Sequence, residues 1–194
     1  MKKVYSAIFA ASALVLAIDG AHAAAGESIL RFKATRVEPD VSSDISGVDV
    51  KGATGGEIDV TRFLSDNWAL DLGVGTTKHD VSLNGNGIGS VKILPVNLLV
   101  QYHFLPNGEI RPYVGAGGNY THFYDVSLLD GALSVDRDRF GPVAQAGLDI
   151  PLGKSVLLNV DVKKIWLDTN LNGAASGNLT LDPWVYSAGV GFKF

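Results

Sequence analysis

Histidine, serine and carboxyl side chains occur close together at two places in the sequence, and these residue types are the ones that could do covalent chemistry. His79 is followed by Asp80 and Ser82, and His122 is followed by Asp125. A hydrolytic centre needs a serine, a histidine and a carboxylate within hydrogen-bond reach of one another. Both places therefore keep a lipid-modifying enzyme open as one alternative function.

The sequence carries no signature of a metal, cofactor or nucleic-acid site. His79, His103 and His122 lack the spacing of metal ligands, and the chain has no cysteine. The glycine-rich stretches "GVGTT" and "GAGGNY" do not lie between a strand and a helix, as a phosphate-binding loop would. The net charge of −4 comes without a basic patch. We therefore expect no metal, no cofactor and no nucleic-acid partner.

Residues 1–23 have the pattern of a cleaved secretory signal peptide. Lys2 and Lys3 form a basic head, residues 6–18 are almost wholly apolar or small, and Ala21-His22-Ala23 fits a cleavage site. Beyond them no apolar run is long enough for a transmembrane helix. The chain nevertheless has 23 glycines and a positive mean hydropathy of +0.19. We predict an exported chain whose residues 24–194 form one domain.

Apolar and polar residues alternate with a period of two along the predicted domain, and this period is typical of β-strands. Trp68, Leu70 and Leu72, for example, alternate with Ala69 and Asp71. Eight segments show the pattern with differing clarity. They are residues 29–37, 57–64, 68–75, 93–104, 110–120, 140–150, 156–162 and 183–194.

The connections between these segments alternate strictly between short and long. Residues 65–67, 105–109 and 151–154 are tight turns, whereas residues 40–55, 78–90, 125–138 and 168–178 are longer polar stretches. Short periplasmic turns and long extracellular loops are typical of transmembrane β-barrels. The sequence thus predicts an eight-stranded antiparallel outer-membrane β-barrel of Gram-negative type. The alternation is also compatible with a soluble lipocalin-like barrel, but the signal peptide and the loop lengths favour the membrane.

The sequence closes with "PWVYSAGVGFKF", in which every second residue is large or apolar. Chain ends are usually poorly ordered, so this pattern predicts a closing strand that pairs with the first strand, since only closure satisfies every backbone group in lipid. Tyr186, Phe192 and Phe194 would lie on its outer face. A terminal aromatic strand also resembles the signal that the barrel-assembly machinery recognises.

Side chains nearly fill the lumen of an eight-stranded barrel. The residues that point inward on the predicted strands divide this lumen into two zones. A polar plug of paired charges is predicted near the periplasmic turns and consists of Arg31, Lys33, Asp71, Gln101, Arg111, Gln145, Asp149 and Asn159. An apolar lining is predicted above it and consists of Ile93, Pro95, Leu99, Val143 and Ile165. An apolar solute that enters from outside could not cross the plug, so it would leave sideways between strands. A sealed barrel with the same packing is the alternative.

Seven blocks of the sequence resemble the OmpW family of outer-membrane proteins. They are "RVEPD" (36–40), "SDNWALDL" (65–72), "KHD" (78–80), "LLVQYHFLP" (98–106), "RPYVGAGGNYTHFYD" (111–125), "PLGK" (151–154) and "LDPWVYSAGVGFKF" (181–194). The resemblance implies an eight-stranded barrel with a narrow, partly hydrophobic lumen through which small apolar molecules pass. One relative in that family imports alkanes. Where this chain has Pro95-Val96, relatives often have two prolines, and where it has Thr76-Thr77, they often have Pro-Phe. Both positions lie towards the extracellular rim, so the entrance to the lumen is expected to differ from theirs.

The resemblance also implies the partners of the protein. We expect a monomer in the outer-membrane lipid that takes up small hydrophobic solutes and is inserted by the barrel-assembly machinery. Because His79 and His122 lie in blocks that match a non-enzymatic family, we expect no enzymatic activity. A sealed barrel remains the alternative, in which the extracellular loops bind partners such as phage, bacteriocins or host surfaces.

Overall fold

The computed structural model describes residues 26–43, 46–129, 133–173 and 177–194. The predicted signal peptide, residues 1–23, lies outside the described residues. Within the described ranges, no helix is long and apolar enough to cross a membrane. The regular structure of these ranges consists almost wholly of β-strands.

Thirteen strands follow one another along the chain and lie in one continuous sheet. They are β1 (Ser28–Glu38), β2 (Ser42–Ser43), β3 (Val48–Val50), β4 (Ala53–Phe63), β5 (Trp68–Leu83), β6 (Asn86–His103), β7 (Arg111–Leu128), β8 (Leu133–Val135), β9 (Asp138–Pro151), β10 (Val156–Ile165), β11 (Asp168–Gly173), β12 (Gly177–Thr180) and β13 (Trp184–Lys193). Eight of them, β1, β4, β5, β6, β7, β9, β10 and β13, form the barrel.

Each barrel strand pairs antiparallel with its neighbours, and the first strand pairs with the last. Arg31 on β1 faces Gly191 on β13 and Asp59 on β4. Two further backbone hydrogen bonds join Ser28 and Phe194. The N–H of each residue donates to the carbonyl of the other at 2.9 Å. Closure leaves no free edge in the bilayer, and the predicted eight-stranded antiparallel barrel is confirmed.

The outer and inner faces of the barrel differ in polarity in the way that a membrane requires. Large apolar side chains are exposed on the outside; Phe140 is 78% exposed and Trp68 is 51% exposed, whereas Arg31 inside is fully buried. A soluble barrel would bury the apolar face and expose the polar one. The inversion therefore favours the membrane barrel over the lipocalin-like alternative.

Aromatic side chains on the outer face form two bands. Near the periplasmic turns the rings of Trp68 and Tyr102 lie 5.0 Å apart and those of Tyr102 and Phe104 lie 5.2 Å apart. Towards the extracellular side the rings of Tyr120 and Phe140 lie 4.8 Å apart. Such bands mark the two membrane interfaces.

The prediction of a polar loop at residues 78–90 is wrong, because β5 and β6 continue through it to a two-residue turn. Asn84 and Gly85 form this turn with φ angles of 50° and 80°, the combination that a tight hairpin prefers. Above the bilayer the outward side chains meet water, so polar residues there continue a strand without cost. Val81 and Val91 keep the inward phase and are buried.

The other three predicted loops also contain strands. Residues 40–55 include β2, β3 and the start of β4, residues 125–138 include the end of β7 and all of β8, and residues 168–178 include β11 and the start of β12. These short strands extend the barrel wall outward: β3 pairs with β5, and β7, β8, β11, β12 and β2 pair in that order.

Candidate functional site

The candidate site is the lumen, whose inward side chains form four layers from the periplasmic to the extracellular end. We name them the apolar base, the charged plug, the polar belt and the apolar compartment. Each layer follows from the alternation along the strands, since residues two apart on one strand occupy successive layers.

The apolar base closes the periplasmic end and consists of buried Ile29, Phe63, Ala69 and Leu157. The His103 ring stacks above it on Tyr113, with centroids 4.9 Å apart. Sequence reasoning placed polar residues directly at the periplasmic turns and missed this layer. The signal was present, because these apolar residues share the inward phase of their strands.

Arg31 organises the lower half of the charged plug. Its Nη2 donates to Asp149 Oδ2 at 2.6 Å and its Nε to Asp149 Oδ1 at 3.2 Å. Asp59 and Asp71 lie 3.8 Å from Nη1, which also donates to Thr61 Oγ1. A buried charge is stable only when it is paired and hydrogen-bonded, and this guanidinium contacts three carboxylates.

Two lysines organise the upper half of the plug. Lys33 Nζ contacts Glu57 Oε1 at 2.6 Å, Asp161 Oδ2 at 2.9 Å, and also Asp59. Lys163 Nζ lies 2.6 Å from Glu57 Oε1 and 3.1 Å from Asp161 Oδ1. The predicted plug lacked Glu57, Asp59, Asp161 and Lys163. Asp161 and Lys163 are in phase with the predicted Asn159 on β10, whereas Glu57 and Asp59 lie on β4, from which the prediction took no residue.

The remaining predicted plug residues divide into three that lie in the plug and one that does not. Gln101 donates to Gln145 at 2.8 Å, and Asn159 donates to Asp149 at 2.8 Å. Arg111 is half-buried, and its Nε donates to the Gly108 carbonyl at 3.1 Å. Arg111 is the first residue of β7, so its side chain folds onto the periplasmic turn and not into the plug. Its assignment to the plug is corrected accordingly.

The apolar compartment fills the extracellular half of the lumen. Leu99, Val143 and Ile165 are buried in its apolar cluster, and Ile93 packs against the cluster. Val50, Val81 and Leu128 come from segments that were predicted as loops, and four further members lie within three residues of those segments; they are Val91, Leu167, Leu179 and Leu181. A cavity of about 50 Å³ lies among them, and His79 and Thr169 are the polar residues of its lining.

The polar belt lies on one side of the lumen near the junction of the apolar compartment and the plug; along β6, Leu99 of the compartment lies between belt residue Asn97 and plug residue Gln101. Thr121 Oγ1 donates to Asn119 Oδ1 at 2.7 Å, and Asn119 Nδ2 donates to Asn97 Oδ1 at 2.8 Å. Thr35 is buried on the other side of the lumen. A second cavity of about 30 Å³ lies at this level, between the belt and the apolar side chains above it.

The wall beside the second cavity has a gap in its hydrogen-bonded ladder. In the described ladder of β5 and β6, Val74 pairs with Val96 and Thr77 pairs with Ile93, but the two positions between them form no pair. One of these positions holds Pro95, which has no N–H to donate. Pro95, predicted as lumen lining, borders the second cavity together with Gly75 of the opposite strand.

The histidines do not form hydrolytic centres within the described residues. His79 points inward and is bonded to Thr77 Oγ1 and the Lys51 carbonyl, both at 2.9 Å. His122 lies on the outer face and bonds Asp138 at 2.7 Å, together with Tyr120. No group of three or more His, Cys, Asp or Glu in the described ranges is arranged to hold a metal ion.

Asp125, the carboxylate nearest to His122 in the sequence, is engaged elsewhere. Its Oδ2 lies 2.7 Å from Lys92 Nζ at the extracellular rim. The hydrogen bond and the charge of Lys92 hold the pKa of Asp125 below its usual value. Asp125 therefore serves as the partner of a lysine and not of a histidine.

A family model described as the OmpW family matches residues 24–194. The chain belongs to the OmpW family. Outer membrane protein W of Salmonella typhimurium is 30% identical over 213 aligned positions that cover 100% of both chains. Outer membrane protein AlkL of Ectopseudomonas oleovorans is 33% identical over 149 residues, 70% of this chain and 64% of that protein.

Another relative is described as the uncharacterized outer-membrane protein y4mB of Sinorhizobium fredii. It is 38% identical over 148 residues, which are 71% of this chain and 65% of that protein, so this chain aligns with slightly less than two thirds of its length.

Solved structures of outer-membrane proteins match the fold. The crystal structure of OprG from Pseudomonas aeruginosa has a TM-score of 0.80 at 27% identity and covers 91% of this chain and 99% of that one. The solid-state NMR structure of AlkL in lipid bilayers has a TM-score of 0.68 at 26% identity and covers 91% of this chain and 94% of that one. This OmpW-family chain is therefore an outer-membrane barrel.

The three predicted assembly-signal residues lie on the lipid-facing side of this barrel. Tyr186, Phe192 and Phe194 are all exposed, and Phe192 packs edge-on against Phe32 of the first strand at 6.3 Å. Recognition of this strand by the assembly machinery stays a prediction.

Proposed function

We propose that the barrel takes up small hydrophobic molecules from the outside and releases them sideways into the outer membrane. The observation that carries this proposal is the position of an apolar compartment on the extracellular side of a plug of paired charges. A hydrocarbon gains about 25 cal/mol for each Å² of apolar surface that leaves water, so the compartment favours its entry.

The plug directs such a molecule away from the periplasm. A hydrocarbon that crossed it would have to separate buried ion pairs, and breaking one costs about 3–5 kcal/mol. Arg31, Lys33 and Lys163 each contact more than one carboxylate, so several pairs would have to separate together. Lateral exit avoids this cost.

The ladder gap between β5 and β6 supports a lateral exit at a defined place. Two successive rungs are missing there, and the second cavity reaches the wall at Gly75 and Pro95. Separation of strands at this point breaks fewer hydrogen bonds than separation elsewhere in the barrel. The exit therefore lies at the level of the polar belt, where the outer wall faces hydrocarbon.

The cavities have volumes of about 50 and 30 Å³, whereas pockets for drug-sized ligands measure roughly 300–1,000 Å³. The described state is thus closed, and passage requires lining side chains to move. Many of these side chains belong to the extracellular strand extensions and not to the membrane-spanning wall.

Uptake of octane by cells tests the proposal, with Ile93→Arg as the blocking variant. Ile93 is half-buried at the border of both cavities, so the guanidinium would fill the path without entering the plug. Asp80→Arg places the same side chain on the exposed outer face of β5 and is the matched control. We expect faster uptake with the wild type and the control than in cells without the protein, and no gain with Ile93→Arg. Equal uptake by all strains at equal folded levels would exclude the channel.

A sealed barrel that acts through its extracellular surface is the second candidate. The small cavities favour it, and so does the order of the outer strands, since β3 pairs with β5 and β11 pairs with β8 and β12. Such a receptor would lose partner binding, for example of phage or bacteriocins, when these strands are removed. It would keep that binding in Ile93→Arg.

We infer further that the barrel has no enzymatic activity. In the described residues no serine side chain is bonded to His79 or His122. Unchanged acylation of lipid A in expressing cells is the result we expect, and loss of an acyl chain would contradict it.

A further inference from the structure

The second cavity has two kinds of wall, an apolar wall above and a polar wall below. Above it lie apolar side chains such as Ile93 and Ile165; below it lie Thr35, Asn97 and Lys163. The cavity is therefore the boundary between the apolar compartment and the polar layers. A molecule with an apolar body and one polar end would place that end here.

Two buried side chains of the lower wall have free hydrogen-bonding capacity. Asn97 is 1% exposed and Thr35 is 4% exposed. Asn97 uses its Oδ1 to accept from Asn119, while neither its Nδ2 nor Thr35 Oγ1 forms a hydrogen bond with any described residue. Both residues line the same cavity, so a polar group of a bound molecule can use this capacity.

The charges around the cavity disfavour an anionic end group. Lys163 is the cation in its wall, and its Nζ is already 2.6 Å from Glu57 and 3.1 Å from Asp161. A carboxylate would therefore find no unpaired cation and would lie beside Glu57, which also lines the cavity. A neutral end group carries no such penalty.

We propose that the preferred solutes of the barrel are medium-chain primary alcohols, whose hydroxyl binds at Asn97 and Thr35; this inference rests on the proposed function. A hydroxyl both accepts and donates, so it accepts from Asn97 Nδ2 or donates to Thr35 Oγ1. The alkyl chain lies in the apolar compartment above. The bound alcohol then lies beside the ladder gap at Pro95, so the binding site is also the point of release.

Ligand titration of the isotope-labelled mature protein in lipid nanodiscs tests this inference by NMR. We expect 1-octanol to shift the side-chain NH₂ signal of Asn97, and octane and octanoate to leave it in place. Thr35→Val keeps the Asn97 hydrogen-bond chain intact and is expected to weaken 1-octanol binding about tenfold, which corresponds to about 1.4 kcal/mol. Thr54→Val makes the same change on the exposed face of β4 and should bind as the wild type does.

Asn97→Leu provides a second variant, with Asn86→Leu at the exposed extracellular turn as its control. We expect Asn97→Leu to bind octane and 1-octanol equally. Equal affinity of the wild type for the two ligands, or an unshifted Asn97 signal in 1-octanol, would overturn the inference. Octane uptake separates this failure from failure of the proposed function. If octane still enters cells faster with the protein than without it, the channel function is retained and only the hydroxyl-binding site is refuted.

Discussion

Replacement of Arg31 by methionine should reveal how strongly the charged plug stabilises the barrel. The guanidinium lies 2.6 Å from Asp149 and 3.8 Å from Asp59 and Asp71, and the side chains of the Arg31–Asp149 pair are 1% and 2% exposed. Methionine has a similar length, so the substitution removes the charge and the hydrogen bonds while it keeps most of the volume. Asp149 and Asp71 are then left without their cation, whereas Asp59 retains Lys33.

The expected loss follows from this burial. Breaking a buried pair by removing one partner costs about 3–5 kcal/mol, and we expect Arg31→Met to lower the free energy of unfolding by that amount. Arg36 provides the matched control on the same strand, because its ion pair with Glu38 at 2.7 Å has side chains that are 49% and 47% exposed. An exposed pair contributes about 0.2–1 kcal/mol, so Arg36→Met should change stability little.

Urea titration of both variants in lipid vesicles, followed by tryptophan fluorescence, measures the two losses. The loss for Arg31→Met should shrink at acidic pH, since protonation of the carboxylates removes the uncompensated negative charge. A loss below about 1 kcal/mol at neutral pH, the value typical of an exposed pair, would refute the reasoning. A pH-independent loss would assign the effect to packing and not to charge.

Two further substitutions test the lateral exit and the closure of the barrel. Pro95→Val supplies the missing backbone N–H and should complete the ladder between β5 and β6; we expect slower octane uptake at unchanged or higher stability, and unchanged uptake would place the exit elsewhere. Gly189→Val adds a Cβ that would overlap the backbone carbonyl oxygen of Phe32 across the β1–β13 seam. We expect this variant to lose the heat-modifiable gel shift of a folded barrel, and a normal shift would show that the seam can relax.

The membrane-spanning strands were predictable because the bilayer forces alternation on both faces. Around Leu98 and Val100 the outward residues are exposed apolar side chains and the inward Leu99 and Gln101 are buried, as the period of two indicated. The strand extensions were not predictable by polarity, since residues 78–90 leave the bilayer and no longer need an apolar outer face. The Asn84-Gly85 pair was the overlooked signal, because this dipeptide favours a tight hairpin.

The plug was predictable in its composition and not in its pairings. Arg31 and Asp149 share the inward phase, but they are 118 residues apart in the chain, and their contact depends on the register around the whole barrel. Asn97 shows the same limit for the candidate site. Its inward position follows from alternation, whereas its free amide follows from contacts with Asn119 across the β6–β7 pair.

The gap and the register shifts in the β5–β6 and β6–β7 hydrogen-bonded ladders all lie on the extracellular side of Asn97. Their position indicates which part of the closed lumen can open. Above Asn97 the β5–β6 ladder has the gap at Pro95 and a register shift at Val81, and the β6–β7 ladder has a register shift between Ser90 and Lys92. From Asn97 to Tyr102 both ladders are continuous, and the ion pairs of the charged plug connect the strands from inside. Local opening requires few hydrogen bonds and few buried contacts. The extracellular half can therefore move while the plug half stays closed, and it is the upper half that holds the apolar compartment.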